Sequence, residues 1–340
     1  MIKAAYVWAY AMKDVTDADA SMLNQINLAF GLVKNGLLSF GVRDENLFTE
    51  SMARIRRVNP AMKITLSVGG WGAGGFSDMA MTESGRKAFA RSCLDTVEKY
   101  GLDGIDVDWE YPTIDWAGID ADPRDRENFT ALLAELRHVL PDKLVTIAAG
   151  CGGYIRKSMD LPAIEPILDY VSLMSYDMRG VGSVAGPHTA LYPRTGAESD
   201  YDRGCGDMYV KLFEEYGIPK SKQILGAAFY SRKWEGVPAG TMHGLGEKGT
   251  TKDSGGFGPG YGKLKAEYIG KNGYELYRDN GAPYLYKEET GTFICFDDPI
   301  SVAEKTRYVR ENGLAGIMYW EHSCDPTREL LTAIDHASKE

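Results

Sequence analysis

The sequence predicts an α/β fold, a (β/α)8 barrel of the TIM type with a small α+β insertion between its seventh strand and seventh helix. Short apolar segments alternate with amphipathic segments along most of the 340 residues. Eight of the apolar segments are near-continuous runs rich in Ile, Val and Leu, which is typical of parallel strands covered on both faces. A parallel sheet of that size must close into a barrel or carry helices on both sides.

The predicted strands and helices follow in alternation. The strands are Lys3–Trp8, Gln25–Gly31, Lys63–Val68, Gly104–Trp109, Leu144–Ala149, Tyr170–Met174, Gln223–Phe229 and Ala315–Trp320. The helical patterns between them include Glu45–Val58, Ser84–Tyr100, Arg124–Leu140, Tyr201–Tyr216 and Ser301–Asn312. A doubly wound open sheet is the alternative, but it usually carries a glycine-rich turn after its first strand. Here Trp8–Tyr10 follows the first strand instead, which favours the barrel.

The last predicted helix has clear signals at both ends. Asp298 followed by Pro299 is typical of an N-cap residue and a first helical turn. Asn312 and Gly313 then tolerate the left-handed conformation that commonly ends a helix. We therefore expect this helix to end just before the last strand.

One long segment, from Ser231 to Asp298, interrupts the alternation. It is too long for a bare loop in a compact domain. Aromatic residues alternate with other residues in Tyr274–Tyr277 and Tyr284–Tyr286, which indicates short antiparallel strands rather than a disordered linker. We predict a catalytic barrel over residues 1–230 and 299–340 and an α+β insertion over residues 231–298.

Composition and charge exclude several function classes. The net charge is −10, which argues against a nucleic-acid partner and favours a neutral or cationic substrate. No uncharged apolar run approaches the roughly 20 residues that span a bilayer, so no membrane partner is expected. The chain begins directly at its first strand, without a signal-peptide pattern.

Cysteine, histidine and glycine spacing gives no sign of a metal or cofactor. The five cysteines are scattered and odd in number, and we expect buried free thiols. The five histidines lack the spacing of a zinc site. The glycine cluster Gly72–Gly75 is not followed by the Lys-Ser/Thr pair of a phosphate loop. Neither a metal nor a cofactor is therefore expected.

The most informative segment is the fourth predicted strand, with its acidic residues. Because side chains alternate across a strand, the apolar residues face the helices and the acids face inward. The outward residues are Ile105, Val107 and Trp109, and the inward ones are Asp106, Asp108 and Glu110. Burying like charges together is costly, and this strand carries no basic partner for them. An acidic edge strand facing solvent is the alternative, but it conflicts with the apolar opposite face.

Position along this strand suggests a role for each acid. Glu110 comes last, at the carboxyl end where barrel enzymes keep their chemistry, and can act as a proton donor. Asp106 and Asp108 lie beneath it and can share charge or a proton, which raises at least one pKa. Asp103 has the other parity and is given a supporting role.

Four motifs give the sequence a specific resemblance. The pattern Asp103-x-x-Asp106-x-Asp108-x-Glu110 resembles the D-x-x-D-x-D-x-E signature of glycoside hydrolase family 18, the chitinases. The blocks Ser67–Trp71, Met174–Asp177 and Met318–Glu321 are similar to further motifs of that family and stand in the same order. The insertion also lies where bacterial chitinases of the deep-groove type carry an α+β domain. The resemblance covers nearly the whole chain.

The resemblance implies a retaining mechanism in which the substrate supplies the nucleophile. Glu110 would protonate the glycosidic oxygen, and the 2-acetamido carbonyl of the sugar would attack the anomeric carbon to form an oxazolinium ion. Asp108 would hydrogen-bond the acetamide N–H with help from Asp106, and Tyr176 would orient the acetamide carbonyl. Glu110 would then activate water. This arrangement gains rate by proximity, because the nucleophile is already attached.

The same resemblance implies a substrate groove with aromatic walls. Its expected substrate-binding residues are Tyr6, Phe30, Trp71, Met174, Asp177, Tyr230, Arg232 and Trp320, and its supporting residues are Ser67, Gly69 and Gly70. Core packing is the alternative for any one of the aromatic residues, and we expect it for Trp109 and Trp116. Arg179 stands where many relatives carry histidine or an aromatic residue, which predicts an altered substrate preference.

The partner implied is chitin or a chito-oligosaccharide, bound by a monomer. Two alternatives stay open: a chitin-binding lectin on the same barrel, and a family 18 N-acetylglucosaminidase acting on peptidoglycan or N-glycans. The substrate class predicts an extracellular location. Because no signal peptide is present, either a leader has been removed or the enzyme acts on imported oligosaccharides inside the cell.

Overall fold

The structure is a computed structural model that describes the backbone of residues 1–340 and every side chain except those of Asp200 and Tyr201. The chain divides into two compact units. The first unit comprises Ile2–Leu173 and Phe213–Ile224, and the second comprises Met174–Leu212 and Leu225–Glu340 together with Met1. Each unit is described by itself.

Strands of the first unit form one sheet. They are β1 (Ile2–Trp8), β2 (Gln25–Lys34), β3 (Leu37–Ser39), β4 (Lys63–Gly69), β5 (Gly104–Asp108), β6 (Leu144–Gly150) and β7 (Tyr170–Met174, of which Met174 belongs to the second unit). Their order is β1-β2-β4-β5-β6-β7, and the pairs from β1 to β6 are parallel. The short β3 forms an antiparallel hairpin with the end of β2, which the sequence pattern did not indicate.

Helices of the first unit connect these strands. They are α1 (Asp17–Met22), α2 (Glu45–Val58), α3 (Phe76–Ala80), α4 (Glu83–Tyr100), α5 (Asp125–Val139), α6 (Ile155–Ser158) and α7 (Leu161–Ile164), with 3-10 turns at Ala9–Asp14, Glu165–Ile167 and Lys220–Lys222. Trp109, just after β5, is fully buried and stacks on Phe76 of α3 at 5.2 Å between ring centroids. Phe129 of α5 meets the same indole edge-on at 5.7 Å. The outward direction predicted for Trp109 is therefore confirmed.

The second unit contains two groups of strands. They are β8 (Gln223–Ala228, from Leu225 onward), β9 (Tyr230–Trp234), β10 (Gly256–Gly260), β11 (Glu275–Asp279), β12 (Ala282–Lys287), β13 (Thr292–Cys295) and β14 (Gly316–Trp320). Strands β8 and β14 are neighbours, and the other five form a separate sheet in the order β10-β9-β13-β12-β11, with all its pairs antiparallel. Short antiparallel strands therefore occur where the aromatic alternation suggested them. The boundaries at residues 231 and 298 stay a prediction.

Helices also occur in the second unit, and the longest of those described spans Pro299–Glu311. They are α8 (Asp200–Arg203), α9 (Gly206–Glu215, shared with the first unit), α10 (Tyr261–Glu267), α11 (Pro299–Glu311) and α12 (Glu329–Ala337), with 3-10 turns at Glu288–Thr290 and His322–Cys324. The side chain of Asp298 caps α11 by accepting the N–H groups of Ile300 and Ser301, as predicted from its position before Pro299. Gly313 follows with a φ of 67°.

The predicted elements agree with the structure to within a few residues. All eight predicted strands are present, and Glu45–Val58 has the predicted bounds. The predicted helix Tyr201–Tyr216 is two helices, α8 and α9, and the side chain of Tyr201 lies outside the described residues. The five cysteines are free thiols, three of them buried. Within the described part of the chain, no helix is long and apolar enough to cross a membrane.

A buried ion pair lies in the second unit, between α11 and the segment that precedes it. Lys305 and Asp297 are each 2% exposed, and Lys305 Nζ donates to Asp297 Oδ2 at 2.6 Å. The same oxygen accepts the Thr189 hydroxyl at 3.1 Å and the Ala228 N–H at 3.0 Å. Burial lowers the pKa of Lys305, and Asp297 opposes that effect. The pair thus links α11, β8 and the segment carrying Thr189.

We expect Asp297→Ala to destabilise the protein by about 3–5 kcal/mol, because it leaves the Lys305 ammonium buried without its counter-charge. The double variant Asp297→Ala/Lys305→Met should cost less than the sum of the two single changes. Urea unfolding of the three variants measures this. Arg307→Met, which removes an exposed ion pair with Glu340 in the same unit, is the control and should change stability little. Additive effects of the two single changes would contradict the prediction.

Candidate active site

Asp106 lies at the centre of a buried hydroxyl cluster in the first unit. Its Oδ2 accepts the Tyr6 hydroxyl at 2.9 Å and the Ser67 hydroxyl at 2.8 Å, and its Oδ1 accepts the Thr146 hydroxyl at 2.6 Å. The register of β4, β5 and β6 explains this, because Ser67 and Thr146 are the direct partners of Asp106 on either side. Burial raises the pKa of Asp106, and the three donors oppose that rise. The sequence analysis missed Thr146.

Asp108 is the neighbouring inward acid, and its surroundings differ from those of Asp106. It is 4% exposed, and its Oδ1 is buried without a hydrogen-bond partner among the described residues. Burial, together with the negative charges of Glu110 and Asp106, raises the pKa of Asp108 well above its usual range. Asp108 therefore holds a proton far more readily than an ordinary aspartate, and it retains an oxygen with unused hydrogen-bonding capacity.

Glu110 is the second residue after the end of β5 and is half-buried. Its charge acts on the pKa of Asp108 on one side and of Tyr111 on the other. Asp106, Asp108 and Glu110 thus form a row that runs from the buried interior to a partly accessible position. A partly accessible carboxyl next to a protonated one can exchange a proton with a ligand.

Two glycines allow β4 to approach the acid strand closely. The N–H of Gly70 donates to the Asp108 carbonyl at 2.9 Å, and a Cβ on Gly69 would lie 2.0 Å from that same oxygen. Both glycines have positive φ, 126° for Gly69 and 94° for Gly70. A Cβ on Gly70 would also come within 2.9 Å of the Phe30 ring. These positions require glycine, which is consistent with the supporting role predicted for them.

Asp103 lies at the other end of the acid strand and is part of an ion-pair network. Its carboxylate contacts Arg56 Nη2 at 2.9 Å and Lys63 Nζ at 3.4 Å, and it accepts the Ile64 N–H at 2.9 Å. The basic partners absent from the strand itself are supplied here by α2 and β4. Asp103 therefore connects the start of β5 to α2 and β4, and it is not part of the acid row.

Several aromatic side chains of the first unit are accessible. The Phe30 ring meets Trp8 edge-on at 5.7 Å, and Tyr10 stacks on Trp8 at 5.9 Å. Trp71 is 64% exposed. Trp116 is 60% exposed and touches Tyr154 edge-on at 4.9 Å, so the expectation that it packs in the core is wrong. Its loop lies on the surface, where only one edge of the indole is covered.

Asp177 organises a second cluster, which belongs to the second unit. Its Oδ1 accepts the Tyr230 hydroxyl at 2.7 Å and Arg232 Nε at 2.8 Å, and it lies 3.4 Å from His188 Nδ1. Burial alone would raise the pKa of Asp177, but the contacts with His188 and Arg232 hold it well below its usual range. Asp177 is therefore an anion, and two other residues of the predicted substrate-binding set, Tyr230 and Arg232, contact it.

An exposed phenylalanine adjoins this cluster. Phe257 of β10 is 72% exposed, and the Arg232 guanidinium lies over its ring at 4.2 Å from the centroid. The Tyr230 ring is 5.6 Å away. The sequence analysis missed Phe257, since a single aromatic residue in a glycine- and proline-rich segment shows no periodic pattern.

The remaining predicted residues of the second unit lie at strand ends. Met174 is at the end of β7 and 9% exposed, and Trp320 is at the end of β14 and half-buried. The Tyr176 hydroxyl lies 3.9 Å from the Met318 sulfur, and its ring meets Tyr230 edge-on at 6.2 Å. Tyr176, Asp177 and Tyr230 are thus brought together.

Arg179 is buried in the second unit. It is 1% exposed, and its guanidinium donates to the carbonyls of Met178, at 2.6 Å, and Asp202. Arg179 therefore connects two loop segments through main-chain acceptors. The altered substrate preference expected at this position stays a prediction.

One known family matches nearly the whole chain. The family model described as glycosyl hydrolases family 18 matches residues 3–325. The chain belongs to glycosyl hydrolases family 18. Within the described residues, no group of three His, Cys, Asp or Glu side chains is placed to hold a metal ion.

Relatives within family 18 include chitinases and an N-acetylglucosaminidase. Chitinase A1 of Niallia circulans is 35% identical over 302 residues, which cover 82% of this chain and 42% of that protein. Chitotriosidase-1 of Mus musculus is 30% identical over 327 residues, covering 89% of this chain and 67% of the relative. The chain thus spans less than half of the length of chitinase A1.

The solved structure of a family 18 N-acetylglucosaminidase from Paenibacillus barengoltzii is similar over its whole length. It is 41% identical, with a TM-score of 0.92 and coverage of 99% of both chains. The predicted (β/α)8 barrel fold is confirmed, and the chain is a glycoside hydrolase of family 18.

We expect Asp106→Asn to lower the pKa of Asp108, because it removes one of the charges that disfavour ionisation of Asp108. Asp108 should then lose its proton at a lower pH than in the unmodified enzyme. Carboxyl 13C NMR over a pH series measures this. Asp95→Asn, which changes an exposed charge on α4, is the control and should leave Asp108 unaffected. An unchanged Asp108 titration in Asp106→Asn would refute the coupling.

Proposed function

We propose that the protein is a chitinase, which hydrolyses β-1,4 linkages between N-acetylglucosamine units in chitin and chito-oligosaccharides with retention at the anomeric carbon. The observation that carries this proposal is the acid row. In this family 18 chain, Asp106, Asp108 and Glu110 stand at every second position along and just after β5, and Asp108 has a raised pKa and no partner at Oδ1 among the described residues. Named chitinases among the relatives support the substrate class.

Glu110 is the proposed general acid and base. It is the accessible member of the row, so it can protonate the glycosidic oxygen and later deprotonate the attacking water. Among retaining glycosidases, family 18 stands apart because the substrate's own acetamide is the nucleophile.

Asp108 is the proposed partner of the acetamide nitrogen. An N–H donor from the substrate would satisfy the Oδ1 that has no partner among the described residues. If Asp108 passes its proton to Asp106, the negative charge left on Asp108 also stabilises positive charge that develops as the acetamide oxygen attacks the anomeric carbon. Asp106, held by Tyr6, Ser67 and Thr146, supplies the adjacent negative charge that controls the protonation of Asp108.

Tyr176 is the proposed donor to the acetamide carbonyl. The substrate-binding role extends to the aromatic and polar residues that the family resemblance implies, because a pyranose offers C–H groups on its faces and hydroxyls at its edges. These residues are Tyr6, Phe30, Trp71, Met174, Asp177, Tyr230, Arg232 and Trp320. Phe257 joins them on the strength of its exposed ring beside Arg232. The monomeric state expected from the sequence stays a prediction.

The second candidate is an N-acetylglucosaminidase, favoured by the 41% identity with the Paenibacillus barengoltzii enzyme. The alternative that the sequence leaves open is an N-acetylglucosaminidase that acts on peptidoglycan or on N-glycans. A lectin is disfavoured, because Glu110 is present and stands next to the other two acids of the row. The products formed from a defined oligosaccharide separate these candidates.

Chitohexaose hydrolysis tests the proposal directly. The unmodified protein should release di- and trisaccharides, and Glu110→Gln should lose about 10²–10⁴-fold in kcat, the usual contribution of a general acid or base. Glu127→Gln, an exposed glutamate on α5, is the matched control and should keep full activity. Release of monosaccharide alone would favour the N-acetylglucosaminidase. Full activity of Glu110→Gln would overturn the catalytic assignment.

Substrate assistance requires an acetamide at the cleaved sugar. We expect no turnover of fully deacetylated chitosan oligomers, because an amine cannot form the oxazolinium ring. A thiazoline analogue of chitobiose should inhibit competitively, because it resembles the cyclised intermediate. Product analysis by mass spectrometry and inhibition kinetics measure the two effects. Turnover of chitosan at a rate comparable to that of chitohexaose would contradict the mechanism.

A further inference from the structure

We infer that His188 is a positioning residue that holds Asp177 in the orientation needed to bind the substrate. The inference rests on the proposed function, in which Asp177 is a substrate-binding residue. His188 lies outside the four motifs named above, and its side chain is completely buried. It acts through Asp177.

The contacts between the two residues involve both main chain and side chain. The Asp177 N–H donates to His188 Nδ1 at 3.3 Å, and the same ring nitrogen lies 3.4 Å from Asp177 Oδ1. The Met178 N–H donates to the His188 carbonyl at 3.0 Å. His188 therefore holds two consecutive residues that follow β7, one with its ring and one with its backbone.

Asp177 needs such support because of its backbone conformation. Its φ of 54° lies in the left-handed region, which is unfavourable for residues other than glycine. Aspartate tolerates this region when neighbouring groups hydrogen-bond to it. Here the Asp177 N–H donates to the His188 ring, and the Asp177 carboxylate accepts hydrogen bonds from Tyr230 and Arg232.

The environment of His188 keeps its ring neutral. Burial lowers the pKa of His188, Asp177 and the more distant Asp297 oppose that effect, and Arg232 adds to it. The ring packs against Tyr230 at 5.2 Å between centroids, and the Cys295 thiol lies beside the His188 main chain. A neutral imidazole carries one N–H. With the proton on Nε2 the ring accepts the Asp177 N–H at Nδ1, and with the proton on Nδ1 it donates to the Asp177 carboxylate, which is one of the contacts that hold the pKa of Asp177 low.

The second ring nitrogen gives an independent observation. His188 Nε2 is buried and has no hydrogen-bond partner among the described residues. The imidazole therefore makes its polar contacts on the Asp177 side only. A histidine that served packing alone would be replaceable by an apolar side chain of similar size, whereas one that positions Asp177 would be replaceable only by a side chain with a polar atom at Nδ1.

The experiment compares His188→Leu with His188→Asn, since the asparagine amide can present either an acceptor or a donor where Nδ1 lies. The first readout is the titration of the Asp177 carboxyl by 13C NMR, which needs no activity. In His188→Leu the pKa of Asp177 should rise, because a contact that holds it low is lost. His188→Asn should restore it towards the unmodified value.

The second readout is kinetics on chitohexaose. Because Asp177 must be ionised to bind, the acid limb of kcat/KM should move to higher pH in His188→Leu, and KM should rise several-fold more than kcat falls. Thr306→Val, which replaces another buried polar side chain of the second unit, is the control and should leave both readouts unchanged. Equal behaviour of His188→Leu and the unmodified protein in both readouts would overturn the inference.

A further measurement on the unmodified protein tests the inference if the His188→Leu variant is too unstable to study. In the unmodified protein, the 15N shifts of the His188 ring should change when chitotriose binds, because substrate contact at Asp177 alters the group that the ring touches. Unchanged shifts at saturating chitotriose would refute the positioning role. Absence of any hydrolysis or binding by the unmodified protein would instead refute the proposed function, while the Asp177 titration would still test the contact with His188.

Discussion

The burial of like charges side by side on one strand constrains everything around β5. Asp106 and Asp108 lie two residues apart on the inner face, where burial penalises each charge and the charge of Asp106 raises the cost of ionising Asp108. The two acids differ in the hydrogen-bond donors that offset this cost. Asp106 receives three hydroxyl donors, and Asp108 receives none at Oδ1 from the described residues. The pair thus separates into a fully hydrogen-bonded carboxylate and a neighbour inclined to carry a proton.

That separation depends on how closely the neighbouring strands approach. Gly69 and Gly70 bring β4 against the Asp108 carbonyl, and the resulting register sets the Ser67 hydroxyl beside Asp106. Thr146 reaches the same carboxylate from β6. At the opposite end of β5, the ion pairs of Asp103 with Arg56 and Lys63 fix the strand to its surroundings. The chemistry at one end of the strand is therefore supported by charge pairing at the other.

Local periodicity explains what the sequence could predict. The inward direction of Asp106 and the outward direction of Trp109 follow from strand alternation alone, and the cap at Asp298 follows from a local motif. Thr146 could not be found in this way, since its role depends on which residue of β6 pairs with Asp106. Phe257 and His188 lie in segments without periodic patterns. Trp116 is exposed, although tryptophan is usually buried, because its loop lies on the surface. Arg179 is buried, although arginine is usually exposed, because main-chain carbonyls accept hydrogen bonds from its guanidinium.

The pairing of Asp177 through one carboxylate oxygen has a consequence for ligand exchange. Tyr230, Arg232 and His188 all approach Oδ1, and none of these three contacts involves Oδ2. A hydroxyl group that donated to Oδ2 would therefore leave all three contacts in place. If Asp177 binds the sugar as proposed, one ligand could replace another without any rearrangement of the residues that fix the carboxylate.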